Sequence, residues 1–183
     1  MTEQKIVFKR CGEWIVHLRF IEGKTKTNEN RKSLKERSDE EKLHAKYRGN
    51  CFDVIKIEHL WKEDEEGNTI TFGRIRSSIF MGKSLIYVVG EKIEEKNYDK
   101  DIEKVCSEGI HYYLDKTTAE ICFESPSLKQ KEFNGEYIWY YDNGRIYEKT
   151  TYVNGIKHGE CIGYHKNGDI WGRSTFVDGK LIK

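Results

Sequence analysis

Apolar and polar residues alternate wherever the chain is not densely charged. Trp14, Val16, Leu18 and Phe20 fall on one side of an extended segment, and Ile15, His17, Arg19 and Ile21 fall on the other. Arg10-Cys11-Gly12-Glu13 supplies a turn from an earlier strand around Ile6 to Phe8, so the chain opens on a predicted hairpin. Strand patterns return at CFDVIKIEHLW (51–61), at residues 69–76 after the turn-like Glu65-Glu66-Gly67-Asn68, at 85–89 before Gly90, and at GIHYYL (109–114). Helix signals are short. Ser33 with Glu36 and Ser38 with Glu41 read as capping boxes, Tyr98-Asp99-Lys100-Asp101 opens a helical turn through Ile102 and Val105, and Thr117 with Glu120 starts a helix to about Phe123.

A different regularity governs the last third. Laying residues 135–158 over 159–182 gives a gapless 24-residue repeat with ten identities. Each copy carries two turn signals, Asn143-Gly144 with Asn154-Gly155 and Asn167-Gly168 with Asp178-Gly179. Asn-Gly and Asp-Gly tolerate the positive φ angles of two-residue type I′ turns, which predicts an antiparallel meander. That register places Tyr140 opposite Tyr147, Asp142 opposite Arg145, Tyr164 opposite Trp171 and Lys166 opposite Asp169. Ile138, Tyr140, Tyr147, Ile162, Tyr164 and Trp171 then share an apolar face. It reads first as the core side of the sheet, with Tyr140, Tyr147, Tyr164 and Trp171 as the candidate binding surface.

These patterns predict a mainly β protein with short helices (α+β). A mostly β module spans residues 1–124, and a linker at 125–132 contains Ser125-Pro126-Ser127, with the only proline of the chain. The repeat sheet follows at 133–183. Residues 22–48 interrupt the first module, with 15 of 27 positions charged, nine positive and six negative, which reads as a mobile charged insertion carrying one short exposed helix.

Composition narrows the chemistry. A net charge of +1, with 34% charged residues, exerts no overall pull on nucleic acid or anionic membrane. The cysteines Cys11, Cys51, Cys106, Cys122 and Cys161 are scattered, with no metal-knuckle spacing, which points to a reducing compartment. The first residues lack the apolar run of a secretory signal, and no stretch is long enough for a bilayer span, so the expected location is intracellular. Phosphate-binding glycine loops, a nucleophile elbow and paired metal-ligand histidines are missing from the sequence, and no cofactor or metal is expected. Cys106 and His111, five residues apart, are the weak catalytic candidates as a nucleophile and base or as two metal ligands. The alternative for them is a buried thiol and a histidine on the strand face opposite Ile110, Tyr112 and Leu114.

Residues 133–182 resemble the MORN repeat through Gly135, Tyr140, Tyr141, Asn143, Gly144, Ile146, Tyr152, Asn154, Gly155, His158 and Gly159. Ile156 stands where that family often has lysine, and His165 replaces the second tyrosine in the second copy. WIVHLRF, HAKYRGNCFDVIKIE, IYVVGEKIEEKNYDKD and CSEGIHYYLDKTTAE, from Trp14 to about Phe123, resemble an uncharacterised module of giant-virus proteins that is usually attached to pentapeptide or MORN repeats. The two resemblances imply a non-enzymatic protein-protein interaction or scaffolding module of a large DNA virus, acting in host cytoplasm or carried in the virion. The repeat family's name also invites membrane-surface or phosphoinositide binding. Residues 124–183 hold nine Lys or Arg against eight Asp or Glu, however, and lack the basic cluster such binding uses. An enzyme working through Cys106 and His111 is the remaining alternative.

Overall fold

The computed structural model describes residues 4–77, 84–121 and 133–183. The proposed boundary at Ser125-Pro126-Ser127 and the linker 125–132 lie outside the described residues. The chain divides into two compact units, Met1–Glu120 and Ile121–Lys183.

In the first unit, β1 (Ile6–Cys11) and β2 (Trp14–Arg19) form the expected hairpin, closed by Gly12 at φ 64°. β2 pairs in turn with β4 (Cys51–Glu63), which carries β5 (Thr69–Thr71) and β8 (Lys92–Glu94). All these pairings are antiparallel, in the order β1-β2-β4-β5 with β8 branching from β4. Two short ladders complete the unit: β3 (Tyr47–Gly49) with β9 (Ile110–Tyr112), and β6 (Arg74–Arg76) with β7 (Ile86–Val88). Val7, Val16, Leu18, Phe52, Val54, Ile57, Tyr87 and Ile110 make the core. Ile15 is fully buried as well, so β2 is covered on both faces rather than on one. Residues 69–76 do not make the single strand their alternation predicts. Phe72-Gly73 breaks it, giving β5 to one sheet and β6 to another.

Residues 22–48 are a second correction. The segment folds into the unit instead of standing off it, because most of its few apolar residues and two of its arginines are internal: Asn28, Arg31, Leu34, Ala45, Tyr47 and Arg48 are all buried, while Leu43 on the short helix is exposed. Asn28 accepts from the Arg48 N–H and donates to the Lys104 carbonyl, and Arg31 stacks over Tyr47 at 5.1 Å. α1 (Asp39–His44) has the predicted Ser38–Glu41 capping box.

A third correction falls at residues 98–105, which form no helix. The chain here wraps around Arg48, whose guanidinium donates to the carbonyls of Asp99 (2.5 Å), Lys104 (2.7 Å), Glu108 (3.2 Å) and Asp101, with its charge 4.9 Å from the Tyr98 ring centre. The Asp101 carbonyl also accepts from the Lys104 N–H at 3.3 Å, a single turn that no helical ladder extends. The final helix of this region, α2 (Lys116–Ile121), is capped by Asp115 rather than by Thr117. Asp115 Oδ2 accepts from the Thr118 N–H at 2.7 Å and from its hydroxyl at 2.9 Å.

In the second unit β10 (Gly135–Tyr140), β11 (Ile146–Val153), β12 (Ile156–Tyr164), β13 (Ile170–Val177) and β14 (Lys180–Leu181) form one antiparallel sheet, each strand beside the next in sequence. The four Asn-Gly or Asp-Gly pairs are its corners, but they build two kinds of turn. Asn154-Gly155 (φ 51° and 71°) and Asp178-Gly179 (φ 47° and 79°) are two-residue turns with both φ positive. At the other two, only Gly144 (φ 83°) and Gly168 (φ 99°) are positive. Gly144 N–H donates to Tyr141 O and Tyr141 N–H to Arg145 O, enclosing a three-residue loop, and His165, Gly168 and Asp169 repeat that pattern. The extra loop residue displaces the pairing next to the turn, so Tyr140 pairs with Ile146 and Tyr164 with Ile170, and Tyr147 and Trp171 are left in bulges. Beyond them the predicted register holds, with Trp139 opposite Glu148 and Gly163 opposite Gly172. Asp142 and Lys166 sit inside the turns, so the expected cross-strand pairs Asp142–Arg145 and Lys166–Asp169 do not form as register partners.

Hydrogen bonds repeat with the 24-residue period. Gly155 N–H donates to Phe133 O and Gly179 N–H to Lys157 O, both at 2.9 Å. Arg145 N–H meets Asn143 Oδ1 and Asp169 N–H meets Asn167 Oδ1. Glu136 pairs with Lys149 at 3.3 Å and Glu160 with Arg173 at 2.7 Å.

Candidate functional site

Side chains alternate along a strand, so Trp139 and Tyr140 point to opposite faces of the repeat sheet. Tyr147 stacks on Trp139 (6.5 Å between centroids, 22° between planes), and Trp171 lies over Gly163, where a Cβ would strike the indole. The register shift therefore separates the four predicted binding residues. Tyr140 and Tyr164 stay with Ile138 and Ile162, while Tyr147 and Trp171 join the face of Tyr137, Trp139 and Tyr152. This second face holds the buried aromatics of the unit: Tyr137 and Tyr152 contact one another and Phe133 at 6.1–6.2 Å. Sequence reasoning missed Tyr137, Trp139 and Tyr152. The signal that could have found them was the alternation itself, which puts Tyr137 and Trp139 on the face opposite Ile138 and Tyr140, and the register that sets Tyr152 across from Gly135.

Tyr147 and Trp171 occupy equivalent positions of the two copies and are both exposed, at 39% and 54%. One strand, β12, lies between theirs, so they stand two strand spacings apart, about 10 Å. The equivalent turns are also tied together: Tyr141 Oη donates to Tyr164 O at 2.8 Å, Arg145 reaches the carbonyls of Lys166 and Asn167, and the Lys166 ammonium stands 5.7 Å from the Tyr141 ring centre. The end of the sheet that carries these two turns thus brings aromatic and cationic groups of both copies together.

Cys106 and His111 lie in the first unit, with separate engagements. His111 is on β9 opposite Arg48, and its Nε2 donates to Val105 O at 2.9 Å. Burial, and then the nearby cations Lys46 and Lys9, push the imidazole down to about 3, far from the range of a base poised for neutral pH. Cys106 is exposed, and Lys46 Nζ lies 3.5 Å from its sulfur. Among the described residues no group of three or more His, Cys, Asp or Glu side chains is placed to hold a metal ion. No helix among them is long and apolar enough to cross a membrane.

A charged centre that the sequence did not disclose surrounds Glu58. This carboxylate on β4 is almost wholly buried and takes His17 from β2 (2.9 Å), Lys56 from its own strand (2.5 Å) and Lys116 from α2 (2.5 Å). Burial pushes the carboxyl up, and the hydrogen bonds from Lys116, Lys56 and His17 outweigh it, holding it at about 2. Both carboxylate oxygens are engaged by the protein itself, so the cluster fastens α2 to the sheet.

No curated protein and no solved structure matches the chain. The family described as a family of unknown function, DUF5758, matches residues 2–119, which is most of the first unit and more than half of the sequence. The chain therefore belongs to the DUF5758 family.

Proposed function

We propose that the chain is a non-enzymatic interaction protein whose repeat sheet, built of two MORN-like copies, presents a surface to another protein. The observation that carries this reading is the pair Tyr147 and Trp171, exposed at equivalent positions on a sheet whose hydrogen bonds and ion pairs recur every 24 residues. Large aromatic side chains are the anchors that interfaces favour, since each brings wide apolar contact at little conformational cost. A repeated spacing lets one partner engage both.

The test is a comparison of partners retained by the full chain, by a chain lacking residues 133–183, and by the double variant Tyr147→Ser/Trp171→Ser. A protein retained by the full chain and lost from both others supports the reading. An identical set of partners on all three overturns it.

A further inference from the structure

The far end of the first unit's long strand projects beyond its sheet, and residues 61–69, through the turn into β5, are all exposed. Its tip is a fixed turn. Asp64 Oδ1 accepts from the N–H groups of Glu66 (3.0 Å) and Asn68 (2.8 Å), and the backbone of Asp64 bonds to those of Gly67 and Asn68. Glu63, Asp64, Glu65 and Glu66 therefore occur together on a rigid support, with Lys62 the one cation among residues 61–68.

At the base of this arm lies a run of aromatic contacts. Trp14 packs on His59 (4.8 Å) and Phe72 (5.3 Å), and His59 on Trp61 (6.3 Å). Phe72 is 56% exposed and Trp61 38%. Arg10 is stacked 5.4 Å from the Trp61 ring centre, an internal example of the contact these rings make with a cation. His59 braces the run: its Nδ1 accepts from the N–H groups of Trp61 and Lys62, leaving Nε2 to face Glu13 at 3.5 Å.

The arm also has an open edge. Among the described residues β5 pairs with β4 alone. Phe72 N–H donates to Ile57 O across the ladder, so alternation turns the N–H and carbonyl of Thr71 outward. An open edge recruits an extended backbone, exposed aromatics take aliphatic stems and guanidinium planes, and carboxylates select positive side chains.

We propose that the β4–β5 arm is a docking surface for a basic, extended segment of a partner protein. The segment adds as a strand beside Thr71, its lysine or arginine side chains meet Glu63, Glu65 and Glu66, and their stems lie against Phe72 and Trp61. This surface is built from residues of the first unit alone.

Fluorescence anisotropy of a labelled peptide Arg-Thr-Arg-Val-Arg-Thr-Arg-Val, titrated with the full chain, tests this. The expected result is saturable binding below about 1 mM, weakened by salt, and at least about tenfold weaker for the same peptide with glutamate in place of arginine. The triple variant Glu63→Gln/Glu65→Gln/Glu66→Gln and the edge variant Thr71→Pro should each lose about tenfold, with circular dichroism confirming that they remain folded. Trp171→Ser, in the repeat sheet, should bind as the parent does. Equal binding of the acidic peptide, parental affinity in both arm variants, or no binding at about 1 mM overturns the proposal. Self-association of the chain that the same arm variants abolish also overturns it, by making a second copy the occupant.

Discussion

Arg48 shows how much one residue organises. Its guanidinium is fully buried with no carboxylate in an ion pair with it among the described residues, and four backbone carbonyls disperse its charge. Removing it takes the charged donor from all four, although Lys104 O keeps the Asn28 amide, Asp101 O the Lys104 N–H and Glu108 O the Asp99 N–H. Arg48→Met should therefore cost about 2–4 kcal/mol in urea unfolding, and Arg48→Lys should recover only a fraction because one ammonium cannot span the same fork. Two other groups, the buried Glu58 and the half-buried His111, set the acid limb of stability. Glu58 titrates at about 2 in the fold against an ordinary 4.5, so its contribution is complete above pH 4.5 and is lost as pH falls from there to 2. His111 titrates at about 3 against 6.5, so the unfolded chain takes up that proton first and stability falls between pH 6.5 and 3. Unfolding measured from pH 7 to 2 should therefore lose its lower limb in Glu58→Gln and its upper limb in His111→Gln. A limb that survives its own substitution would refute the assignment.

Among the elements, the turns mark where the sequence was readable and where it was not. All four Asn-Gly and Asp-Gly pairs are corners, and the 24-residue period reappears in the hydrogen bonds, because both kinds of hairpin loop need a residue that tolerates positive φ. The dipeptide does not say whether glycine stands second of two loop residues or third of three. That single residue decides which aromatic crosses to which face. Substitution separates the two: Asn154→Ala should cost about 1 kcal/mol, since its φ is +51°, whereas Asn143→Ala should cost a few tenths, about what its acceptor for Arg145 N–H contributes. Equal losses in thermal unfolding would return Asn143-Gly144 to a two-residue turn. Residues 22–48 misled for a different reason. Their charge density suggests solvent, and composition cannot reveal that Arg31 and Arg48 lie inside, over Tyr47 and within a loop of carbonyls. The Glu58 cluster was likewise invisible, since its four members come from three elements far apart in sequence.

For the molecule as a whole, the two units carry surfaces of different electrical character, one nearly neutral and one acidic, and this makes the two proposals separable in one sample. From residue 124 onward nine Lys or Arg balance eight Asp or Glu, and the repeat sheet spends Glu136, Lys149, Glu160 and Arg173 on pairs within itself. Contacts centred on Tyr147 and Trp171 should then rest on apolar burial, which salt does not screen. The β4–β5 arm concentrates four carboxylates over residues 63–66, all exposed, where attraction for a basic segment is screened over about 10 Å at 0.1 M salt and over about 3 Å at 1 M. Raising salt from about 0.05 to 0.5 M should weaken the arginine peptide about tenfold or more and leave a partner held by the repeat sheet within about a factor of two. If both bindings fall together, the repeat sheet works through charge and the aromatic pair is not its anchor. If neither falls, the acidic tip is a solvated turn, and the exposed rings beside it would be left to account for any binding on their own.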